Sequence, residues 1–161
     1  MREANDRRLA TFRKNSSIIK GVRWLGTLDT HCCAACGALD GATWDLDGKS
    51  LGDHAFHFHA PPLHPECRCV LSPVPKSFRD IGLDIDEPEA GQRASCEGPV
   101  NGATTFQDFL ARQSLDVVRR VLGEDRADLF LSGQLALRDL IASDCRERTL
   151  AELHALLAGK P

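Results

Sequence analysis

A chain of 161 residues, 42% hydrophobic and 27% charged with a formal net charge of −3, has the length of about one domain and an ordinary soluble, globular composition. No apolar run approaches the ~20 residues that cross a bilayer, and the polar start from Met1 to Arg8 lacks the apolar stretch of a secretory leader. The expectation is therefore no membrane contact and no export by that route.

The charge is uneven. Residues 1–24 carry Arg2, Arg7, Arg8, Arg13, Lys14, Lys20 and Arg23 against Glu3 and Asp6, hence +5, which leaves −8 for the rest. Residues 1–16 read as a basic helical arm, with Leu9 and Phe12 on one face over 3–14. Such an arm suits a nucleic acid or an acidic protein face, although Phe12, assigned to the apolar face, is its one aromatic residue and no series of them interleaves for base stacking. From Ser17 to Leu28, Ile18, Ile19, Val22 and Trp24 favour a strand. Asp40-Gly41 signals a turn, and 42–46 reads as the returning strand of a hairpin. Lys49 to Pro62 has neither helical nor strand period and reads as a loop, whose His54, His57 and His59 are spare candidate ligands. A third short strand begins at Cys69-Val70-Leu71 and ends at Pro73 and Pro75. Residues 17–75 thus form a small antiparallel β domain.

Residues 76–104 hold six acidic and three basic side chains and four glycines, the pattern of an acidic, Gly-rich linker or extended arm. Residues 105–161 read as a cluster of short helices. The first opens with the capping signal Thr105-x-x-Asp108 and runs to Gly123. Others cover 125–132 and 135–142, and the last starts at the capping box Thr149-x-x-Glu152. The fold class expected is α+β.

Four of the seven cysteines lie in two knuckles, Cys33-Ala34-Ala35-Cys36 and His64-Pro65-Glu66-Cys67-Arg68-Cys69, and a fifth, Cys32, directly precedes the first. Thiolates and an imidazole at this spacing suit a tetrahedral Zn²⁺, and without a secretory leader a metal site is favoured over disulfides. Cys33 and Cys36 give two ligands. His64, Cys67 and Cys69 compete for the other two, with His64 and Cys67 repeating the x₂ spacing of the first pair. Four protein ligands would close the sphere, as in a structural site. Cys32 offers an alternative register, and Cys96 and Cys145 have no partner pattern. Trp24 and Trp44 read as core, and Arg68 as a donor to a thiolate or to a carboxylate such as Asp29 or Asp40. An enzymatic site would need an open position and a base, for which Glu66 and His59 are the local candidates. There is no P-loop, G-x-S-x-G, H-E-x-x-H or zinc-deaminase string.

The run from Trp24 through Asp29, Cys33 and Cys36 to Gly41, followed by Pro62-Leu63-His64-Pro65-Glu66-Cys67-Arg68-Cys69, resembles the Mu F-like head morphogenesis family of tailed bacteriophages. That family carries W-x₄-D-x-R-T-C-x₂-C-x₄-G ahead of P-x-H-x₂-C-R-C. Phe109 to Gln113, Val121 to Ala127 and Thr149 to Leu153 are also similar to the end of such minor head proteins. His31 and Cys32 stand where the family pattern has Arg-Thr, and the long helical region that commonly precedes it is at most its last ~20 residues here. The resemblance implies a non-enzymatic minor capsid component, made in the host cytoplasm and housed inside the virion near the portal. Its partners would be the portal or major capsid protein, with DNA a further partner through the basic arm. The competing expectations are a zinc-dependent nuclease or toxin-like domain using His54, His57 or His59, and a nucleic-acid-binding module.

Overall fold

The computed structural model describes residues 2–159 and is an α+β fold. Helix α1 (Arg2–Lys14) turns Asn5, Leu9 and Phe12 inward at i, i+4, i+7 and leaves its cations exposed. It lies on the sheet. Asn5 is fully buried, donating from Nδ2 to Pro61 O at 3.2 Å and accepting at Oδ1 from Leu71 N at 3.4 Å. Two apolar positions alone would hold the helix weakly. The Asn5 clamp supplies what the hydrophobic pattern lacks.

Strands β1 (Ile19–Leu25), β2 (Thr43–Asp45) and β3 (Val70–Pro75) form one antiparallel sheet in the order β2-β1-β3. Val22 pairs with Trp44, and Leu25 with Val70. The edge strand β3 accommodates Pro73 and Pro75, whose missing N–H groups would break a central ladder. Trp24 and Trp44 are both completely buried. The loop after β2 wraps Trp44: the indole N–H donates to Phe56 O at 2.9 Å, and His54 and Phe58 meet the ring edge-on.

Between β1 and β2 stands the short helix α2 (Ala34–Leu39), buried along nearly its whole length. A Cβ at Gly37 would fall inside the Phe106 ring, so glycine is what lets the helical C-terminal region pack against α2. Gly41 at φ +80 makes the turn into β2.

Residues 76–104 hold more structure than a linker. After a 3₁₀ turn at Arg79–Ile81, β4 (Gln92–Ser95) and β5 (Gly98–Asn101) form a hairpin. Arg93 carries it onto the core. Its guanidinium reaches Asp40 Oδ2 at 2.9 Å and Oδ1 at 3.1 Å, together with the carbonyls of Gly26 and Thr104. Asp40 also accepts from Gly26 N at 2.8 Å and Phe106 N at 2.7 Å. One buried carboxylate therefore ties the end of β1, the hairpin and the next helix together.

The C-terminal region holds α3 (Phe106–Leu110), α4 (Leu115–Leu122), α5 (Glu124–Leu131) and α6 (Leu150–Ala158). The single unit expected from 105 to Gly123 is two helices, because the chain leaves the helix at Ala111 and restarts at Ser114 in extended geometry. The helix expected over 135–142 is one 3₁₀ turn, Leu137–Leu140. Ile141 is extended and bridges Glu147, with Ala142 N donating to Arg146 O at 2.8 Å. That local pairing takes the backbone groups a longer helix would have used.

Candidate metal centre

The sheet register builds the site. Leu25 at the end of β1 lies opposite Val70 at the start of β3. The segment leaving β1 carries the first knuckle and the segment entering β3 carries the second, so antiparallel pairing delivers both to one end of the sheet. Cys33 is the N-cap of α2 and its sulfur accepts from Cys36 N at 3.4 Å. The Cys-x-x-Cys spacing thus becomes one helical turn, with both sulfurs on one side. The second knuckle turns through Glu66 at φ 61, with Cys67 N donating to His64 O at 3.2 Å.

Five donor atoms converge. Cys33, Cys36 and His64 form one triad and Cys36, Cys67 and Cys69 another, each with its ligand atoms within 4.8 Å of one another. Cys36 belongs to both. His64 Nε2 lies 3.3 Å from each of Cys33 Sγ and Cys36 Sγ, and Cys36 Sγ lies 3.7 Å from Cys67 Sγ. Metal–sulfur bonds of ~2.3 Å and metal–nitrogen bonds of ~2.0–2.1 Å in a tetrahedron require edges of about 3.5–3.8 Å. The sulfurs are far outside the ~2.05 Å of a disulfide, and all seven cysteines are free. This is a cluster that could hold a metal ion.

The imidazole is pre-set for that role. His64 Nδ1 lies 2.7 Å from Pro65 O, and because a carbonyl only accepts, Nδ1 carries the proton. Nε2 is the nitrogen that faces the sulfurs and would ligate a metal, the arrangement by which outer groups orient metal-bound histidines. The donors surround a cavity of about 10 Å³, about the volume of one water-sized sphere. An ion fits there and an organic substrate does not.

Without a cation the thiols compete for charge. Cys33 is lowered to about 6, first by the hydrogen bond from the Cys36 side chain, with His64 adding to it. Cys69 falls to about 3, chiefly through Cys32 and then Cys36, with Cys67 and the Trp24 indole assisting. Cys36 moves up, because Cys33 and then Cys69 hold the charge beside it. Cys32 is likewise pushed up, first by Cys69. So many buried sulfurs cannot all ionise together, and a divalent cation removes the conflict. The buried Trp24 N–H has no hydrogen-bond partner among the described residues, and it is one of the groups that favour the Cys69 thiolate.

Arg68 grips Asp29, at 2.6 and 2.8 Å. Burial raises the Asp29 pKa, but Arg68 and the His31 amide outweigh it and hold the carboxyl below its usual range. Of the two carboxylates considered for Arg68, Asp29 is the partner; Asp40 belongs to Arg93. His54, His57 and His59 stay out of the cluster: His54 Nε2 lies 2.9 Å from Thr43 O, and the other two are exposed. Glu66 is exposed at the rim, in a hollow of about 840 Å³ bordered also by His31, His64 and Arg68. The knuckle spacing gives no sign that Cys32 and Trp24 bear on the Cys69 thiol. The Cys32-Cys33 doublet and the tryptophan nine residues before Cys33 were the signals present.

Comparison with family models, curated proteins and solved structures finds no match to this chain.

Proposed function

We propose that the cluster binds one structural zinc and that the chain serves as a minor head protein in phage head morphogenesis. The observation that carries the zinc reading is the convergence of Cys33, Cys36, His64, Cys67 and Cys69 around a space only large enough for an ion. Soft thiolates with one imidazole favour Zn²⁺ over oxygen-seeking cations. The preferred ligand set is Cys33, Cys36, His64 and Cys67, because the 3.7 Å separation of Cys36 and Cys67 is already a tetrahedral edge. Cys69 is then the neighbouring sulfur left outside the set, within 4.8 Å of Cys36 and Cys67. Four protein ligands leave no position for water or substrate, so the metal's chemistry here is to hold the knuckles together.

The head-protein reading rests on the order and spacing of Trp24, Asp29, the two knuckles and Gly41. It gains from the roles those residues take: Trp24 backs the cluster, and Asp29 is the carboxylate that fixes Arg68. Its setting would be the capsid interior beside the portal, with the portal or major capsid protein as partner. DNA contact would come from the exposed cations of α1. The enzymatic alternative lacks its parts, since the three spare histidines stand away from the cluster.

Co-expression with portal and major capsid proteins tests the assembly role: co-purification with either one supports it, and capsids that form and fill with DNA equally well without this chain count against it. Exchanging Arg2, Arg7 and Arg8 for Gln tests DNA contact without removing the Asn5 clamp. DNA binding that falls and loses salt dependence is the expected result.

A further inference from the structure

The end of the sheet opposite the metal cluster carries an exposed basic corner beside an exposed acidic, apolar segment. The corner forms where α1 runs into β1 and β3 ends: Lys14, Ile18 and Lys20 are exposed, and Lys76 N donates to Ile18 O at 2.8 Å. Ile18 leaves 53% of its surface in solvent. The chain then continues from Lys76 into residues 79–90, which carry Asp80, Asp84, Asp86, Glu87 and Glu89 against Arg79 alone.

Between these acids, Ile81, Leu83 and Ile85 are 39%, 48% and 54% exposed. The segment is no loose tail. Leu83 N donates to Phe78 O at 2.8 Å, Phe78 N to Glu87 Oε1 at 2.6 Å, and Arg79 pairs with Asp84 and Asp86. Asp80 sits at the seam, its pKa lowered first by Ser77 and then by Lys20 and Lys76. Three large aliphatic side chains are thus left 39–54% exposed on a segment tied down by its own hydrogen bonds, the kind of surface a partner can cover.

We propose that this face docks a second copy of the same chain about a two-fold axis, the acidic segment of each copy lying on the basic corner of the other. The two complementary patches adjoin through Lys76, and within one chain the corner's lysines act on Asp80 at the seam. In a two-fold pair every contact between residues i and j occurs twice, and neighbouring complementary patches are both satisfied in one closed dimer. Ile18, Ile81, Leu83 and Ile85 form its apolar centre, and the charges around them set its register.

Sedimentation of the full, zinc-loaded chain at about 0.1 M and about 1 M salt tests this, since the screening length falls from ~10 to ~3 Å over that range. The expected result is a dimer at the lower salt that weakens at the higher. Asp84→Lys with Asp86→Lys, or Lys14→Glu with Lys20→Glu, should each weaken it at least about tenfold, a loss of about 1.4 kcal/mol. Mixing the two variants should restore it, because every contact in the mixed pair again joins opposite charges. The substituted side chains are exposed and remote from the cluster, so zinc content should be unchanged in both. A chain that stays monomeric up to about 0.1 mM at low salt would overturn the proposal. So would a dimer indifferent to both reversals, or mixed variants that fail to pair.

Discussion

Asp40 concentrates more of the fold than any other single side chain. It is a buried carboxylate whose two oxygens accept from Gly26 N, Phe106 N and both terminal nitrogens of Arg93. Removing one partner of such a pair strands the other charge, at a cost of about 3–5 kcal/mol. Asp40→Ala should therefore lower the unfolding free energy by about that amount in chemical denaturation. Exchanging Asp40 and Arg93 together for apolar residues should restore part of it. The cysteines give a sharper contrast. If Cys36 and Cys67 form a ligand edge while Cys69 stays outside the set, Cys67→Ser should lose zinc to a competing chelator far more readily than Cys69→Ser. Equal loss, or the reverse order, would move Cys69 into the coordination sphere.

The capping boxes set the helix starts and bring a pH dependence. Thr105 with Asp108 opens α3, and Thr149 with Glu152 opens α6. Asp108 is lowered by Thr105, and Glu152 falls from 4.5 to about 2, first through Arg146 and then the Thr149 amide. Both carboxyls titrate lower in the folded state. Their contribution is therefore present above the ordinary carboxylate range and is lost as pH falls through the folded values. Denaturation midpoints measured between about pH 5 and pH 2 should fall less steeply for Glu152→Gln than for the parent chain. Identical slopes would mean the cap does not couple to global stability.

These caps were legible in the sequence because Thr-x-x-Asp and Thr-x-x-Glu are local patterns with one geometric meaning. The knuckles and the three strands of the sheet were legible for the same reason. The β4–β5 hairpin was not, since its four-residue strands alternate no apolar face and Arg93 is held by a carboxylate 53 positions away. Asn5 was hidden likewise: a polar residue on the inward face of a helix has no signature until its partners, Pro61 and Leu71, are in place. At the site, the donors were visible as spacing. The gathering of all five donors, rather than four, came from the register of β1 on β3.

For the whole molecule, the metal cluster and the tryptophan core are one structure. Trp24 is fully buried in β1, the strand that leads into the first knuckle, and α2 carries Cys36 and meets Phe106 at Gly37. A metal that fixes the knuckles therefore fixes the surface on which the helical region rests. Losing it would leave buried thiols in conflict over their charge, and folding would weaken by the metal's binding free energy. The most direct test is to measure zinc in the purified chain and then follow tryptophan fluorescence and thermal unfolding as a chelator removes it at neutral pH. We predict one zinc per chain, and on its removal loss of the cooperative transition with exposure of Trp24. A chain that holds no zinc, or that keeps the same melting temperature and buried tryptophans without it, would contradict the structural role.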